Sequence, residues 1–162
     1  MSIFIRFCFI VFILSNHVNV MADQALTDGI YQIKSKRSGL CLDVSGGEVN
    51  QGARIIQWSC HEGSNQRWQI SFIENNVYKL TAMHSGLVMD IIAGSQENGA
   101  NVQQWSDNAT HAQHFQLIEQ VDKSFRIINR GSGKTLDITD ASLSQGAPLQ
   151  QWDWFEADNQ KF

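Results

Sequence analysis

The sequence predicts an all-β domain built from three copies of one structural unit. Two observations lead to this prediction: a repeat of 47 residues, and short runs in which apolar and polar residues alternate. After the N-terminal segment, no stretch shows the 3.6-residue apolar spacing of an amphipathic helix. Each copy is therefore expected to hold about four short strands.

The repeat is visible when the chain is aligned at Gly39, Gly86 and Gly133, with no insertion or deletion between copies. Eight positions carry the same residue in all three copies. They are Ser38, Gly39, Asp43, Gly52, Ala53, Gln57, Trp58 and Gln66, each recurring 47 and 94 residues later. This agreement is far beyond chance, and the copies are expected to span residues 29–76, 77–123 and 124–162.

The predicted strands lie in corresponding places of each copy. Alternating runs read YQIKS, YKLTA and FRIIN, then CLDV, VMDI and TLDI, and clusters of Gly, Ser, Asn and Asp separate them. A 47-residue unit is also compatible with a propeller blade, but a propeller typically needs about four blades or more to close. Three four-stranded copies in one domain predict a β-trefoil with pseudo-threefold symmetry.

The N-terminal segment predicts export. Its apolar run MSIFIRFCFIVFIL carries one early positive charge, Arg6, and small residues precede a cleavage site expected after Ala22. The uninterrupted apolar part, residues 7–14, is shorter than the ~20 residues of a membrane span. We therefore interpret residues 1–22 as a secretory signal peptide, and residues 23–162 as one secreted domain without a membrane span.

Charge and cysteine content narrow the function classes. The chain has 12 basic residues, of which Arg6 leaves with the signal, against 16 acidic ones. The mature chain is then acidic and lacks a basic cluster, so nucleic acid is not an expected partner. Cys41 and Cys60 remain after loss of Cys8, and in an exported protein they predict a disulfide. No ligand spacing predicts a metal, and no motif predicts a cofactor.

The repeated motifs resemble those of a known family. Each copy has Gly-x-x-Leu-Asp-Val or a close variant, then Gly-Ala, a motif based on Gln-x-Trp, and one based on Asn-Gln-x-Trp/Phe. This combination resembles the ricin B-chain-type lectins, and among them the family-13 carbohydrate-binding modules. The resemblance covers nearly the whole mature chain. It implies a β-trefoil that binds galactose- or xylan-type glycans, and it places Cys41 and Cys60 where that family often has a disulfide.

The resemblance also implies which residues hold the sugar. A pyranose offers vicinal hydroxyls and one C–H face, so a site needs a carboxylate, an amide and a flat aromatic ring. In the third copy these are Asp137, Gln150, Trp152, Asn159 and Gln160. In the first copy they are Asp43, Trp58, Asn65 and Gln66, with His61 as an added donor, and in the second copy Asp90, Gln103, Trp105 and Gln113.

Two copies depart from the full pattern. Ile56 replaces the first glutamine in the first copy, and Ala112 replaces the asparagine in the second. The loss of that amide removes a direct contact worth about 1 kcal/mol, so we rank the sites third, first, second. Asn108 begins an Asn-Ala-Thr glycosylation motif near the second site, and a glycan there would obstruct it further.

Structural roles remain open for some of these residues. The repeated aspartates also fit a role in satisfying backbone N–H groups of turns, and a tryptophan on a strand often serves packing. Trp68, Phe115 and Phe162 end the last motif of each copy and are predicted to lie in the core.

Catalysis by this chain is not expected. Sugar hydrolysis needs two carboxylates about 5–10 Å apart, whereas the repeated aspartates occur once per copy, on faces that threefold symmetry separates. Three roles remain: a secreted lectin or the binding module of a glycoside hydrolase, the glycan-docking subunit of a toxin, or a protein-binding trefoil with vestigial sugar sites. A hydrolase module or a toxin subunit would act together with a partner catalytic chain or domain.

The last copy ends earlier than the others. The first two continue after their final motif with the strands WQISFIE and FQLIEQ, while the third stops at Phe162. In a trefoil that strand pairs with the first, around GIYQIKS, so its absence would leave an open edge. We therefore expect a truncated copy of a longer chain, or a strand supplied by a partner.

Overall fold

The computed structural model describes residues 25–162, which form eleven strands and six single-turn 3₁₀ helices. The predicted signal peptide lies outside the described residues. The strands are β1 (Gly29–Tyr31), β2 (Cys41–Val44), β3 (Ile55–Trp58), β4 (Trp68–Glu74), β5 (Val77–Ala82), β6 (Val88–Ile91), β7 (Val102–Trp105), β8 (Phe115–Glu119), β9 (Phe125–Asn129), β10 (Thr135–Ile138) and β11 (Leu149–Trp152). The 3₁₀ helices span Ser45–Gly47, Ser64–Gln66, Ile92–Gly94, His111–Gln113, Thr139–Ala141 and Asp158–Gln160.

The strands pair in the same way in each copy. β1, β4, β5, β8 and β9 follow one another as hydrogen-bonded neighbours, and we call them the barrel strands. The other six strands form three antiparallel hairpins, β2–β3, β6–β7 and β10–β11. Barrel strands with one hairpin per copy make the molecule a β-trefoil, which confirms the predicted fold class.

The core is built from equivalent apolar residues of the three hairpins. Three sets are fully buried: Leu42, Met89 and Leu136; Val44, Ile91 and Ile138; and Ile55, Val102 and Leu149. Trp68 and Phe115 are fully buried as well, and Phe162 packs against the same core while partly exposed. The apolar positions of the repeat thus converge on one centre, where their burial drives folding.

The first strand of each hairpin departs from simple alternation of buried and exposed residues. All four residues of β2, β6 and β10 are buried, including the aspartate in each. Leu42 and Val44 belong to the core cluster, whereas Asp43 is hydrogen-bonded to Asn65 and Gln66. A polar residue buried in this way must be hydrogen-bonded, which gives the repeated aspartates fixed partners.

Three identical glutamines join each hairpin to the neighbouring copy. Gln104 Oε1 accepts a bond from Ser85 Oγ at 2.8 Å, and its Nε2 donates to the carbonyl oxygens of Glu48 and Asn50 at 2.8 and 2.9 Å. Gln57 makes the same bonds to Ser38, Ser142 and Ser144, and Gln151 to Ser132, Ser95 and Glu97. The three copies therefore hold one another in a closed cycle.

The end of the third copy is hydrogen-bonded to the first strand of the same copy and to the first copy. Phe162 exchanges two backbone hydrogen bonds with Phe125, of 2.7 and 3.0 Å, and the Lys161 carbonyl accepts one from Lys36 N–H at 2.9 Å. Within residues 25–162 the third copy contributes three strands, and β1 is paired with β4 alone. The expected pairing of a last strand with the first is therefore not formed by the described residues.

Two further features bear on the sequence predictions. Cys41 and Cys60 form a disulfide with a Cα–Cα distance of 5.1 Å, which confirms that pairing. Over the range that the structure describes, no helix has both the length and the apolar character needed to cross a membrane.

Candidate sugar-binding sites

Each hairpin places an aspartate next to an exposed tryptophan. The strand register pairs Asp43 with Ile56, Asp90 with Gln103 and Asp137 with Gln150, in each case two residues before the tryptophan. Trp58, Trp105 and Trp152 are 41%, 39% and 38% exposed although they lie on strands. A flat ring left open to solvent beside a buried carboxylate is suited to covering the C–H face of a sugar.

The third site brings together all five predicted residues. Asp137 is 2% exposed, and its two carboxylate oxygens accept bonds from Gln150 Nε2 at 2.9 Å and Asn159 Nδ2 at 2.8 Å. With Trp152, these residues line a cavity of about 290 Å³. The oxygen Asn159 Oδ1 is buried and has no hydrogen-bond partner among the described residues, so an acceptor is left there.

Gln160 has a positioning role rather than a place in the cavity wall. Its Nε2 donates to the Asp153 carbonyl at 2.8 Å, and its Oε1 accepts from Phe155 N–H at 3.0 Å. These bonds hold the loop that brings Phe155 to the cavity. Gln113 closes the matching loop of the second copy, through Ser106 and Asn108.

The first site keeps the carboxylate and replaces one donor by another. Asp43 Oδ2 accepts bonds from Asn65 Nδ2 at 2.9 Å and Gln66 Nε2 at 2.8 Å, and His61 Nε2 lies 3.4 Å away. Ile56 occupies the place of the missing glutamine, so His61 is the side chain that adds a polar group at this edge. The cavity, lined by Trp58 among others, has a volume of about 470 Å³.

The second site has the largest cavity, about 740 Å³. Asp90 is 5% exposed and accepts a bond from Gln103 Nε2 at 2.8 Å. Trp105 lines the cavity, and Ala112 stands where the other two sites have an asparagine. The sequence ranking placed this site last, and that ranking remains a prediction.

Each tryptophan rests against a glycine loop of the preceding copy in the cycle. Gly99 has φ +84°, and a Cβ at this position would lie 3.5 Å from Cζ3 of Trp152. Equivalent contacts join Gly52 to Trp105 and Gly146 to Trp58, at 3.8 Å. A Cβ would fit beside the ring at this distance, but a residue with a side chain would be strained at this φ, which explains why glycine is found in all three copies.

The structure adds site residues that the motif alone did not identify. The 3₁₀ turn after each aspartate contributes to the cavity, with Gly46 in the first site, Ala93 in the second and Asp140 in the third. All three have a left-handed backbone, with φ of 66°, 53° and 56°. Their residue types differ between copies, so the repeat gave no signal for them.

Burial raises the pKa of all three site aspartates. For Asp137 desolvation is the main cause, and the nearby amides of Gln150, Gln160 and Asn159 lower the pKa by less. The same balance holds for Asp90 and for Asp43, where His61 also lowers the pKa. The amides therefore compensate only in part for removing the carboxylate from water.

Metal-assisted binding finds no support in the described geometry. Among residues 25–162, no group of three or more His, Cys, Asp or Glu side chains is arranged to hold an ion. The polar groups of each site are an acid held by amides beside an indole ring, a set that forms hydrogen bonds to hydroxyls.

Comparison with known proteins agrees with this geometry. The family model described as ricin-type beta-trefoil lectin domain-like matches residues 19–105 and 71–152, which together are most of the chain. The chain belongs to the ricin-type β-trefoil lectin family. Membership of this family supports carbohydrate binding in general, and a binding module rather than an enzyme.

Solved structures of similar fold include natural and designed proteins. ThreeFoil, a designed threefold-symmetric protein, has 37% identity and a TM-score of 0.81, covering 83% of this chain and 96% of its own. The exo-β-1,3-galactanase 1,3Gal43A from Clostridium thermocellum has 28% identity and a TM-score of 0.78, covering 85% of this chain but 30% of the enzyme. The Rhizoctonia solani agglutinin has 25% identity and a TM-score of 0.76, covering 85% and 94%.

Proposed function

We propose that this trefoil lectin binds glycans through its hairpin sites, and most strongly through the third. The proposal rests on the environment of the Asp137 carboxylate. Its carboxylate is buried and held by two amides, Gln150 and Asn159, beside the exposed ring of Trp152. Such a pre-arranged acceptor loses little conformational freedom when a ligand binds.

We propose a separate role for each side chain of the third site. Two vicinal hydroxyls of a pyranose donate to Asp137, whose oxygens each accept one amide bond and have a further lone pair. Gln150 and Asn159 fix the carboxylate through these bonds. Trp152 covers the C–H face of the sugar ring. Gln160 keeps the surrounding loop in place.

The second and first sites extend this scheme to three hairpins of one rigid body. A shallow site that exchanges water hydrogen bonds for sugar hydrogen bonds gains little net free energy, so single-sugar affinity is expected to be weak. Several such sites gain effective concentration on a repeating polymer. We therefore propose a polysaccharide or a multivalent glycan as the natural ligand.

The proposed sugar is of the galactose type, with xylan-type chains as the second candidate. The similarity to an exo-β-1,3-galactanase supports a galactose-type ligand. The match covers 85% of this chain but only 30% of that enzyme. The same comparison supports a role as the binding module of a glycoside hydrolase. We also propose that the protein acts outside the cell, which the Cys41–Cys60 disulfide supports.

A glycan array tests the proposal with two pairs of variants. Trp152→Ala and Asp137→Asn remove the platform and the carboxylate, and we expect each to abolish or strongly reduce the wild-type signal. Trp154→Ala and Asp158→Asn are matched controls, since neither residue lines the cavity. The proposal is wrong if the wild type binds no glycan, or if the site variants bind as well as the controls. A protein-binding trefoil would then be the better hypothesis.

A further inference from the structure

The residues on both sides of Trp152 are bonded to the same loop of the second copy. Before the tryptophan, the carbonyl of Gln151 accepts a bond from Gly99 N–H at 2.9 Å. After it, Asp153 N–H donates to Oδ1 of Asn98 at 3.0 Å. The backbone that carries the third platform is therefore fixed at two points on the loop behind the ring.

The carboxylate of Asp153 joins that loop to the first strand of the third hairpin. Its Oδ2 accepts a bond from Asn98 Nδ2 at 2.8 Å, and its Oδ1 accepts one from Lys134 Nζ at 2.6 Å. Lys134 directly precedes Thr135, which is the strand partner of Trp152. We call Asn98, Lys134 and Asp153 the Asp153 cluster. It connects the loop behind the ring, the strand beside it and the residue that follows it.

This cluster occurs at the third site and not at the other two. The corresponding residues of the first and second hairpins are Gln145 and Gln51 for Asn98, Leu40 and Leu87 for Lys134, and Ser59 and Ser106 for Asp153. Within residues 25–162, no side-chain hydrogen bond joins these corresponding residues to one another. The buried glutamines, in contrast, make their bonds in all three copies. The cluster is therefore not part of what the trefoil needs in order to fold.

The exposure of the cluster makes a large contribution to stability unexpected. The side chain of Asp153 is 68% exposed, and an ion pair in such a place adds little to the free energy of unfolding. The bonds from Lys134 and Asn98 lower the pKa of Asp153, so its carboxylate is ionised at neutral pH. What these bonds do provide is restraint of the backbone next to Trp152. A platform that is already ordered loses less conformational freedom when a ligand binds.

We propose that Asn98, Lys134 and Asp153 are positioning residues that hold Trp152 in its stacking orientation before a sugar binds. None of the three lines the cavity of the third site, so they act through the tryptophan and not by touching the ligand. The cluster gives the third site an affinity that its cavity-lining residues alone would not provide. This inference rests on the proposed function, since it assumes that Trp152 covers a sugar ring.

The test compares two cluster variants with a matched control. Asp153→Ser introduces the residue of the other two copies, and Asn98→Ala removes the amide. Glu74→Ser is the control, because it removes an exposed carboxylate that pairs with Arg130 at 2.7 Å and lines none of the three cavities. Titrations with galactose and with xylo-oligosaccharides are followed at the Trp152 indole signal in NMR, which reports the third site alone. Indole relaxation in the free protein and urea unfolding are measured on the same samples.

In both cluster variants we expect a more mobile Trp152 indole and a third-site affinity about fivefold lower, with the urea midpoint close to that of the control. The two substitutions act on one cluster, so the double variant should bind about as weakly as Asp153→Ser alone.

Three results would overturn the inference: cluster variants that bind as tightly as Glu74→Ser, effects of the two substitutions that add in full, or a loss of stability as large as the loss of affinity. Wild-type binding that depends on Asp137 would then still support the proposed function. Absence of sugar binding by the wild type would remove both.

Discussion

At the residue scale, the site depends on an aspartate that is both buried and ionisable. Asp137 is separated from water but receives two amide hydrogen bonds, and burial outweighs them in raising its pKa above 3.8. A carboxylate accepts bonds from two sugar hydroxyls only when it is ionised. Acid should therefore weaken sugar binding at a higher pH than an ordinary aspartate would suggest.

We predict that third-site affinity falls on acidification with a midpoint above pH 3.8. The fall is not expected to come from unfolding caused by this group. A raised folded-state pKa contributes stability at low pH and loses it as pH rises, so protonation of Asp137 favours the folded state. Calorimetric titration from neutral to acidic pH, with circular dichroism to monitor folding, measures the midpoint. A midpoint below 3.8 would contradict the raised pKa.

A second prediction concerns the glycine behind the third tryptophan. Gly99→Ala places a Cβ 3.5 Å from Trp152 at φ +84°, whereas Gly86→Ala, at φ +72°, has nothing within 4 Å. Both variants should lose about 1 kcal/mol of stability from backbone strain. Because 3.5 Å is an ordinary van der Waals distance, the added methyl fits beside the ring, and Gly99→Ala should bind sugar as tightly as Gly86→Ala. A lower affinity in Gly99→Ala alone would show that the Trp152 ring is displaced when this loop changes.

The repeat and its resemblance to a lectin family predicted Asp137, Trp152 and Asn159 as candidate site residues, and the structure places all three around one cavity. The sequence did not predict the left-handed turn residues such as Asp140, because their residue types differ between copies. The size of the second cavity was also unforeseen, since it depends on what surrounds Ala112.

At the element scale, the hairpins are the functional units, and buried glutamines connect them. The repeat showed that Gln57, Gln104 and Gln151 are identical, but not that each reaches the loop of another copy. Spacing within one copy cannot reveal contacts between copies. The alternating pattern likewise predicted the strands, but not that the polar face of β2, β6 and β10 is buried.

Gln104→Ala tests this connection. It leaves the carbonyl oxygens of Glu48 and Asn50 and the hydroxyl of Ser85 without their partner, so we expect a loss of about 2–4 kcal/mol. Urea unfolding measures the change. Gln116→Ala, on the partly exposed face of β8, is the control and should cost much less. Similar losses in both would mean that the inter-copy bonds contribute little.

At the scale of the whole molecule, three sites on one rigid body predict avidity. Removal of two platforms, in Trp58→Ala/Trp105→Ala, should leave the affinity of the third site for a free monosaccharide unchanged. The same variant should bind an immobilised polysaccharide about 100-fold more weakly, or weaker still. Surface plasmon resonance on the polymer and calorimetry with the monosaccharide make the comparison. Unchanged binding to the polymer would show that one site acts alone.

The fold as a whole was predictable from the sequence because three aligned copies leave few architectures open. The arrangement around Phe162 was less predictable from the sequence. The sequence indicated that a strand would be needed beside β1, whereas Lys161 and Phe162 are bonded to Lys36 and Phe125 instead. These backbone contacts could not be predicted because spacing along the sequence does not show which backbone groups meet.

The most direct test of sugar binding follows the five tryptophan indole signals by NMR during titration with galactose and with xylo-oligosaccharides. We expect at least one of these ligands to shift the Trp152 signal first, because this ring covers the sugar in the most complete site. The signal of Trp68, which is fully buried, should not move. If neither ligand shifts Trp152, or if Trp68 responds while Trp152 does not, the third hairpin is not a sugar-binding site.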